Sequence, residues 1–381
     1  MKALSNAACI VGVDESDEIG VLPGKSMLSL HLEAISNAVR DAGLKAGDVD
    51  GIFTAGQHSP ALIGEALGVT PRYVDGTSVG GTSFIIMVEH AVAALHHGLC
   101  DVAVVTHGES GRSGVGVTRA RDTALSGQYE IPYGYGAAPT QFALITSRHM
   151  HEYGTTLEQW AQVAVSTRQW ACLNPKAMHK KPLTIQDVLT SRPVIYPFNL
   201  LNICLVTDAG GAVVLTRPDR ARDCAKKPIW VRGTGEGTEH VSVTNMKNLT
   251  FSEATKISGA RAFAMAGVSH RDINHIMLYD AFTSGPPIML ESLGFAKPGE
   301  GVHFFDEGRS TPGGTLPINT NGGGLSYTHT GMYGIFPMIE AARQLRGECG
   351  PRQVPNAKLS LVNGMGGMLS AAGTLVLSNE K

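Results

Sequence analysis

A layered α/β fold made of two related halves is what this chain predicts, and three features predict it. The first is an internal echo. Ala42-Gly43-Leu44-Lys45-Ala46-Gly47-Asp48-Val49-Asp50-Gly51-Ile52-Phe53 recurs at a constant offset of 224 as Ala266-Gly267-Val268-Ser269-His270-Arg271-Asp272-Ile273-Asn274-His275-Ile276-Met277. Each copy follows an apolar-periodic helix and runs into a short strand, with a glycine at the helix C-terminus where a left-handed residue is needed. The second feature is the alternation of strands with helices, which implies layered sheets. The third is a nearly all-apolar helix in each half, and a helix apolar all round must be covered on several sides, here between two sheets.

In chain order, Cys9 to Val13 reads as a strand, Leu28 to Arg40 as a helix, Gly80 to His97 as the first buried helix and Val102 to Thr106 as a buried strand. The second half repeats the order with Trp230 to Gly233 as strand, Ala254 to Met265 as helix, Ile276 to Tyr279 as strand and Met332 to Arg346 as helix. Leu359 to Val362 and Gly373 to Leu377 form a closing strand pair. Between the halves the chain is richer in Pro, Tyr, Trp and polar residues, which marks an inserted cap. The expected division is residues 1–109 with 205–227, a cap over 110–204, and a second half over 228–381.

At 381 residues the chain exceeds what one hydrophobic core usually serves. With 43% apolar and 17% charged residues and a net charge of −2, it is globular and near neutral, which argues against nucleic acid or an anionic membrane as partner. No signal-peptide core or membrane-length apolar run stands in it, so a cytoplasmic protein is expected. The six cysteines are far apart, with no zinc spacing, and read as reduced thiols. Cys9, Cys100 and Cys204 sit in apolar segments and are expected in the core. No P-loop, dinucleotide-binding glycine turn or His-x-x-x-His metal pair is present.

Four segments stand out for chemistry: the turn Thr77-Ser78-Val79-Gly80-Gly81 before the first buried helix, Tyr279-Asp280-Ala281-Phe282-Thr283 at a strand end, the glycine-rich Asn321-Gly322-Gly323-Gly324-Leu325-Ser326-Tyr327-Thr328-His329-Thr330-Gly331-Met332-Tyr333-Gly334, and the turn Asn363-Gly364-Met365-Gly366-Gly367. With the cap run Arg148-His149-Met150-His151-Glu152-Tyr153-Gly154 and Thr207-Asp208-Ala209-Gly210-Gly211-Ala212, they resemble the thiolase superfamily, and within it the sterol-carrier-type thiolase-like proteins. The resemblance covers most of the chain and implies a five-layered αβαβα core with an inserted loop domain.

In that resemblance the two glycine turns stand where a thiolase carries its active-site cysteines, and neither contains one. A thiolase thiolate gains its nucleophilicity at a helix N-terminus, whereas the hydroxyls of Thr77 and Ser78 need a neighbouring base. Tyr279 falls on the first position of the thiolase Asn-Glu-Ala-Phe element, and resembles the tyrosine that cysteine-less steroid side-chain aldolases use there. His329 falls on the thiolase histidine, a residue type suited to carry protons near neutrality. Tyr327 and Tyr333 are alternative phenols from the same loop. Thr77, Ser78, Asp280, Asn363 and Gly364 are expected around the substrate oxygens and acyl pocket. His107 is a further candidate for the pocket, and His179-Lys180-Lys181 for coenzyme A phosphates.

Without a thiol, the reaction that fits is retro-aldol cleavage of a β-hydroxyacyl-CoA, with coenzyme A as part of the substrate and no tightly bound cofactor or metal. Thiolase-type acyl transfer on a β-ketoacyl-CoA and a non-catalytic acyl-CoA-binding subunit are the alternatives. The resemblance further implies a homodimer and a small OB-fold or zinc-ribbon partner protein.

Overall fold

The computed structural model describes residues 2–117, 125–135 and 138–381, so part of the expected cap lies outside the described residues. The first half supplies β1 (Cys9–Glu15), α1 (Met27–Asp41), β2 (Gly51–Thr54), α2 (Pro60–Leu67), β3 (Tyr73–Asp75), α3 (Ser83–His96) and β4 (Val102–Ser110). The inserted segment holds α4 (Leu125–Tyr129), α5 (Ala138–Tyr153), α6 (Leu157–Cys172), α7 (Ile185–Thr190) and the hairpin of β5 (Pro193–Ile195) with β6 (Phe198–Asn199). β7 (Asp208–Thr216) and α8 (Pro218–Ala221) return to the first sheet. The second half supplies β8 (Ile229–Thr238), α9 (Glu253–Ala266), β9 (His275–Leu278), α10 (Gly285–Leu293), α11 (His303–Asp306), α12 (Ile335–Arg346), β10 (Leu359–Gly366) and β11 (Ala371–Ser378).

The echo in sequence is an echo in structure. α1 ends on Gly43 at φ 73° and α9 on Gly267 at φ 67°, each followed by a short 3-10 turn and then by β2 or β9. Asp48 and Asp272 close those turns alike, accepting the Lys45 N–H at 2.8 Å and the Ser269 N–H at 2.7 Å. Strand pairing repeats as well. β2 runs parallel to β4, which pairs antiparallel with β7 and β7 with β1; β9 runs parallel to β10, which pairs antiparallel with β11 and β11 with β8. Ile52 pairs with Val74 on β3, and Ile276, 224 residues later, makes an isolated parallel bridge to Ile318.

The inner helices α3 and α12 each touch strands of both halves, while α1 packs on β1, β4 and β7 and α9 on β8 and β11. This is the thiolase-type layering expected from the apolar helices. The half-sheets are not separate: Cys9 and Ile10 of β1 pair with Trp230 and Ile229 of β8, which joins all the principal strands into one nine-stranded sheet. Those two pairs satisfy backbone groups that would otherwise be left bare at a half-sheet edge. The outer helices α1 and α9 start on side-chain caps: the Ser26 hydroxyl accepts the Ser29 N–H at 3.1 Å and Ser252 the Thr255 N–H at 3.1 Å, each cap contributing about 1 kcal/mol. α3 starts at Ser83 and α12 at Ile335, later than the expected Gly80 and Met332, because the glycine turns before them are loops.

α12 is anchored by a buried ion pair. Glu340 accepts from Arg352 Nε and Nη2, both at 3.0 Å, from Thr320 Oγ1 at 2.8 Å and from Gln344 Nε2 at 3.1 Å. Burial pushes its carboxyl up, but the Arg352 guanidinium and these hydrogen bonds outweigh that and hold it below its usual value. Replacing Arg352 by Ala strands the carboxylate in the core, so urea melts should show a loss of about 3–5 kcal/mol.

Candidate active site

The two cysteine-less turns meet. A Cβ built on Gly80 (φ 84°) would lie 2.5 Å from Gly367 N, so only a glycine lets the two backbones touch. Gly80, Gly81, Met365 and Gly367 thereby form one wall of a cavity of about 340 Å³. Phe142 stacks on Phe282 at 4.4 Å between centroids and forms another wall, an arrangement contributing about 0.5–1.5 kcal/mol beyond burial. Met332 and Met368 complete a mostly apolar lining.

Tyr279 and His329 converge on this cavity. Tyr279 directly follows β9, its backbone N–H bonded to Asn363 O at 3.1 Å, and its ring lies over Gly81, where an added Cβ would fall 2.2 Å from the ring and 2.5 Å from the hydroxyl. The phenol oxygen lies 3.0 Å from His329 Nε2 and accepts the Tyr333 N–H at 3.0 Å. His329 Nδ1 accepts the Gly331 N–H at 3.3 Å, which places the proton of the neutral imidazole on Nε2, pointing at the phenol. Two N–H donors therefore aim at one oxygen. Among the described residues the phenol's own proton has only Gly331 O, at 3.4 Å, and can turn to an oxygen in the cavity. Burial raises the Tyr279 phenol well above its usual value, and the Tyr333 N–H offsets this in part. Burial lowers the His329 imidazole to about 4, so it is neutral at pH 7.

The other expected residues take different positions. Tyr333 is fully buried, its hydroxyl donating to Asn321 Oδ1 at 2.9 Å; it serves the cavity through its backbone N–H. Tyr327 faces away, donating to Glu15 Oε1 at 3.1 Å. Asp280 is buried beneath the glycine loop and accepts the Gly324 N–H at 2.6 Å; burial pushes its carboxyl up to about 7. Asn363 donates across the sheet to Gly373 O at 3.1 Å and Thr374 Oγ1 at 2.8 Å, and Gly364 packs under Thr82 and Ile85. The Thr77 hydroxyl turns back to Asp75 Oδ1 at 2.9 Å, and Ser78 is exposed; neither lines the cavity. His107 sits behind the loop, 2.6 Å from Thr330 Oγ1, and Lys180 bonds Pro175 O at 2.9 Å.

Two residues escaped the sequence reading. Cys204 was expected in the core with Cys9 and Cys100, yet it lines the cavity. Its thiol is not activated, because burial and then the Asp280 charge push it up to about 12. Glu109, two residues after His107 on β4, is the other: its carboxyl lies against Gly331, where an added Cβ would be 2.7 Å from Oε1. Apolar periodicity does not separate a cavity wall from a packed core, and an acidic residue late in a buried strand was the only available signal for Glu109.

Gly81→Ala should push Tyr279 off its donors and lower turnover on the order of a hundredfold, the scale of a misplacement of about 1 Å; a double-mutant cycle with Tyr279→Phe should show that the two losses do not add. NMR titration of His329 should give a midpoint well below that of a solvent-exposed histidine, near 4.

Known proteins sharpen this picture. Residues 235–379 match the family model described as thiolase C-terminal domain-like. The chain is 34% identical to the 17-hydroxy-3-oxo-4-pregnene-20-carboxyl-CoA lyase of Mycobacterium tuberculosis, over 90% of this chain and 92% of that one. It is 30% identical to an acetyl-CoA acetyltransferase of Methanothermobacter thermautotrophicus, over 97% and 98%. The solved Ltp2-ChsH2(DUF35) aldolase superposes with a TM-score of 0.92 at 31% identity, covering 100% of both chains. With relatives of this identity along nearly its whole length and the layering described above, the chain belongs to the thiolase superfamily, alongside its steroid side-chain-cleaving aldolases.

Proposed function

We propose that this protein is a lyase that cleaves a carbon–carbon bond of a β-hydroxyacyl-CoA by a retro-aldol reaction, without an acyl-enzyme, and that its acyl group is bulky and apolar, of the steroid side-chain kind that the lyase relative's name describes. The observation that carries this reading is the Tyr279 oxygen at the wall of an apolar cavity, held by His329 Nε2 and the Tyr333 N–H, with no thiol on either of the turns that meet there. The minor phenolate form of Tyr279, which grows as pH rises because burial holds most of the phenol protonated, takes the β-hydroxyl proton. The bond between the α and β carbons breaks, the β carbon leaves as a ketone or aldehyde, and the electron pair stays on the thioester as an enolate. The phenol then returns the proton to the α carbon. The two N–H donors favour the charged oxygen, as an oxyanion site does.

Coenzyme A enters as part of the substrate. The function also includes assembly: a homodimer, since β3 ends the sheet with an open edge and an exposed Val74, and a small OB-fold partner protein. The solved aldolase is named as a complex with a DUF35 protein. On this chain Tyr129, Ile131, Tyr133 and Val241 are exposed near one another, where Glu130 bonds Ser242 and Thr244, an apolar patch of the kind that seats a partner.

A second reading, thiol-based acyl transfer, draws on Cys204 in the cavity and on the acetyltransferase relative. The raised thiol pKa weighs against it. Mass spectrometry after incubation with β-hydroxyacyl-CoAs, with and without the partner and in the absence of free coenzyme A, separates the two. Cleavage to a carbonyl product and a shortened acyl-CoA, retained in Cys204→Ala and lost in Tyr279→Phe, is the expected outcome. A strict need for free coenzyme A, or an acyl adduct on Cys204, would overturn the retro-aldol reading.

A further inference from the structure

Glu109 is a half-buried carboxyl that the reaction above leaves without a role. Its Oε2 is buried and accepts no hydrogen bond. Oε1 and Oε2 lie against Gly331, where an added Cβ would meet them at 2.7 and 2.8 Å. Gly331 is the residue whose N–H fixes the His329 tautomer and whose carbonyl is, among the described residues, the acceptor for the Tyr279 proton. Among the described residues, the one charged or titratable group within ion-pair range of Glu109 is His107 on its own strand, with Nε2 at 3.9 Å. His107 does not neutralise it, since burial first, and then the nearby His329, lower that imidazole to about 3. From the elements packed opposite, the titratable group that feels the Glu109 charge is Tyr279 after β9.

We propose that Glu109 is a positioning residue for the cleavage, a carboxyl wedged behind Gly331 whose charge governs how readily Tyr279 gives up its proton. It does not touch the substrate; it acts on Tyr279 through the field, and its own titration becomes visible in the reaction. Burial pushes the Glu109 carboxyl up to about 7; the Tyr279 phenol is raised first by burial and then by the charges around it, that of Glu109 together with those of Cys204 and Asp280, the last a carboxyl also pushed up to about 7. The sign follows. Below the Glu109 midpoint the carboxyl is neutral and Tyr279 loses its proton more easily as pH rises. Above it the new charge opposes that loss, so the gain in phenolate stalls over the interval set by the coupling and then resumes.

The inference rests on Tyr279 as the proton-exchanging group, and two measurements separate its failure from failure of that reading. In the holo-assembly, log kcat/KM of the wild-type enzyme should rise with pH, flatten near neutrality and rise again. Glu109→Gln should shrink the step to the part that Asp280 contributes, leave KM within about twofold and exceed the wild type on the alkaline side, by roughly tenfold for each pH unit of coupling to Glu109. Glu109→Asp should restore the step. A step of undiminished height in Glu109→Gln, or a uniform loss at every pH with unchanged profile shape, would overturn the proposal. The second measurement needs no turnover: a wild-type minus Glu109→Gln infrared difference spectrum should contain a protonated carboxyl band that disappears as pH passes through neutrality. Absence of that band sinks the proposal even if cleavage is observed; its presence in a protein that cleaves nothing retains the titrating carboxyl and rejects the reaction.

Discussion

Everything at the site depends on one steric constraint, the contact between Gly81 and the Tyr279 ring. The space beside Gly81 is filled by a phenol that any side chain there would displace. In a thiolase-type layout this region of the inner-helix turn serves a cysteine, and a thiolate there needs an open approach. Here the space beside Gly81 is filled by the ring, and the oxygen at its end lies at the cavity. Gly80 extends the constraint to the second turn, since its contact with Gly367 leaves no room for a side chain between them.

The electrostatics follow from that placement. A phenol buried among Phe142, Phe282 and methionines resists ionisation, and two converging N–H groups oppose the resistance. Burial wins, so the phenol keeps its proton at neutral pH, and the N–H groups lessen the cost of the ionised form. Asp280 does not enter this balance as a substrate contact; it clamps the glycine loop by accepting the Gly324 and Leu325 N–H groups, and so holds His329 where its Nε2 meets the phenol. The expected polar ring around the substrate is thus mostly scaffold. Hydrogen bonds to Asn363 and Asp280 support the backbone from behind, and the face left for the acyl group is apolar.

Much of the fold was legible because it is periodic and repeated. The echo between Ala42 and Phe53 and between Ala266 and Met277 carried helix caps, turns and strand register together, since the same local capping chemistry acts in both copies. Tyr279 and His329 were legible because they occupy recognisable positions at a strand end and in a glycine loop. Thr77 and Ser78 were not, because a hydroxyl's direction is set by local partners, and Asp75 captures that of Thr77. Cys204 and Glu109 reach the site from a chain segment and a strand far away in sequence, which no local pattern encodes.

By itself the sequence determined the layered architecture, the pairing of the halves and the absence of sulfur from both turns, since these are properties of residue type and spacing along the chain. Only the tertiary structure decided that the half-sheets join at Cys9 and Ile10, that Tyr333 contributes a backbone N–H and not a phenol, and that Glu109 stands behind Gly331. Those outcomes depend on how backbones approach through space, and close approach between segments 50 to 291 residues apart is decided by packing, not by any neighbour in the chain.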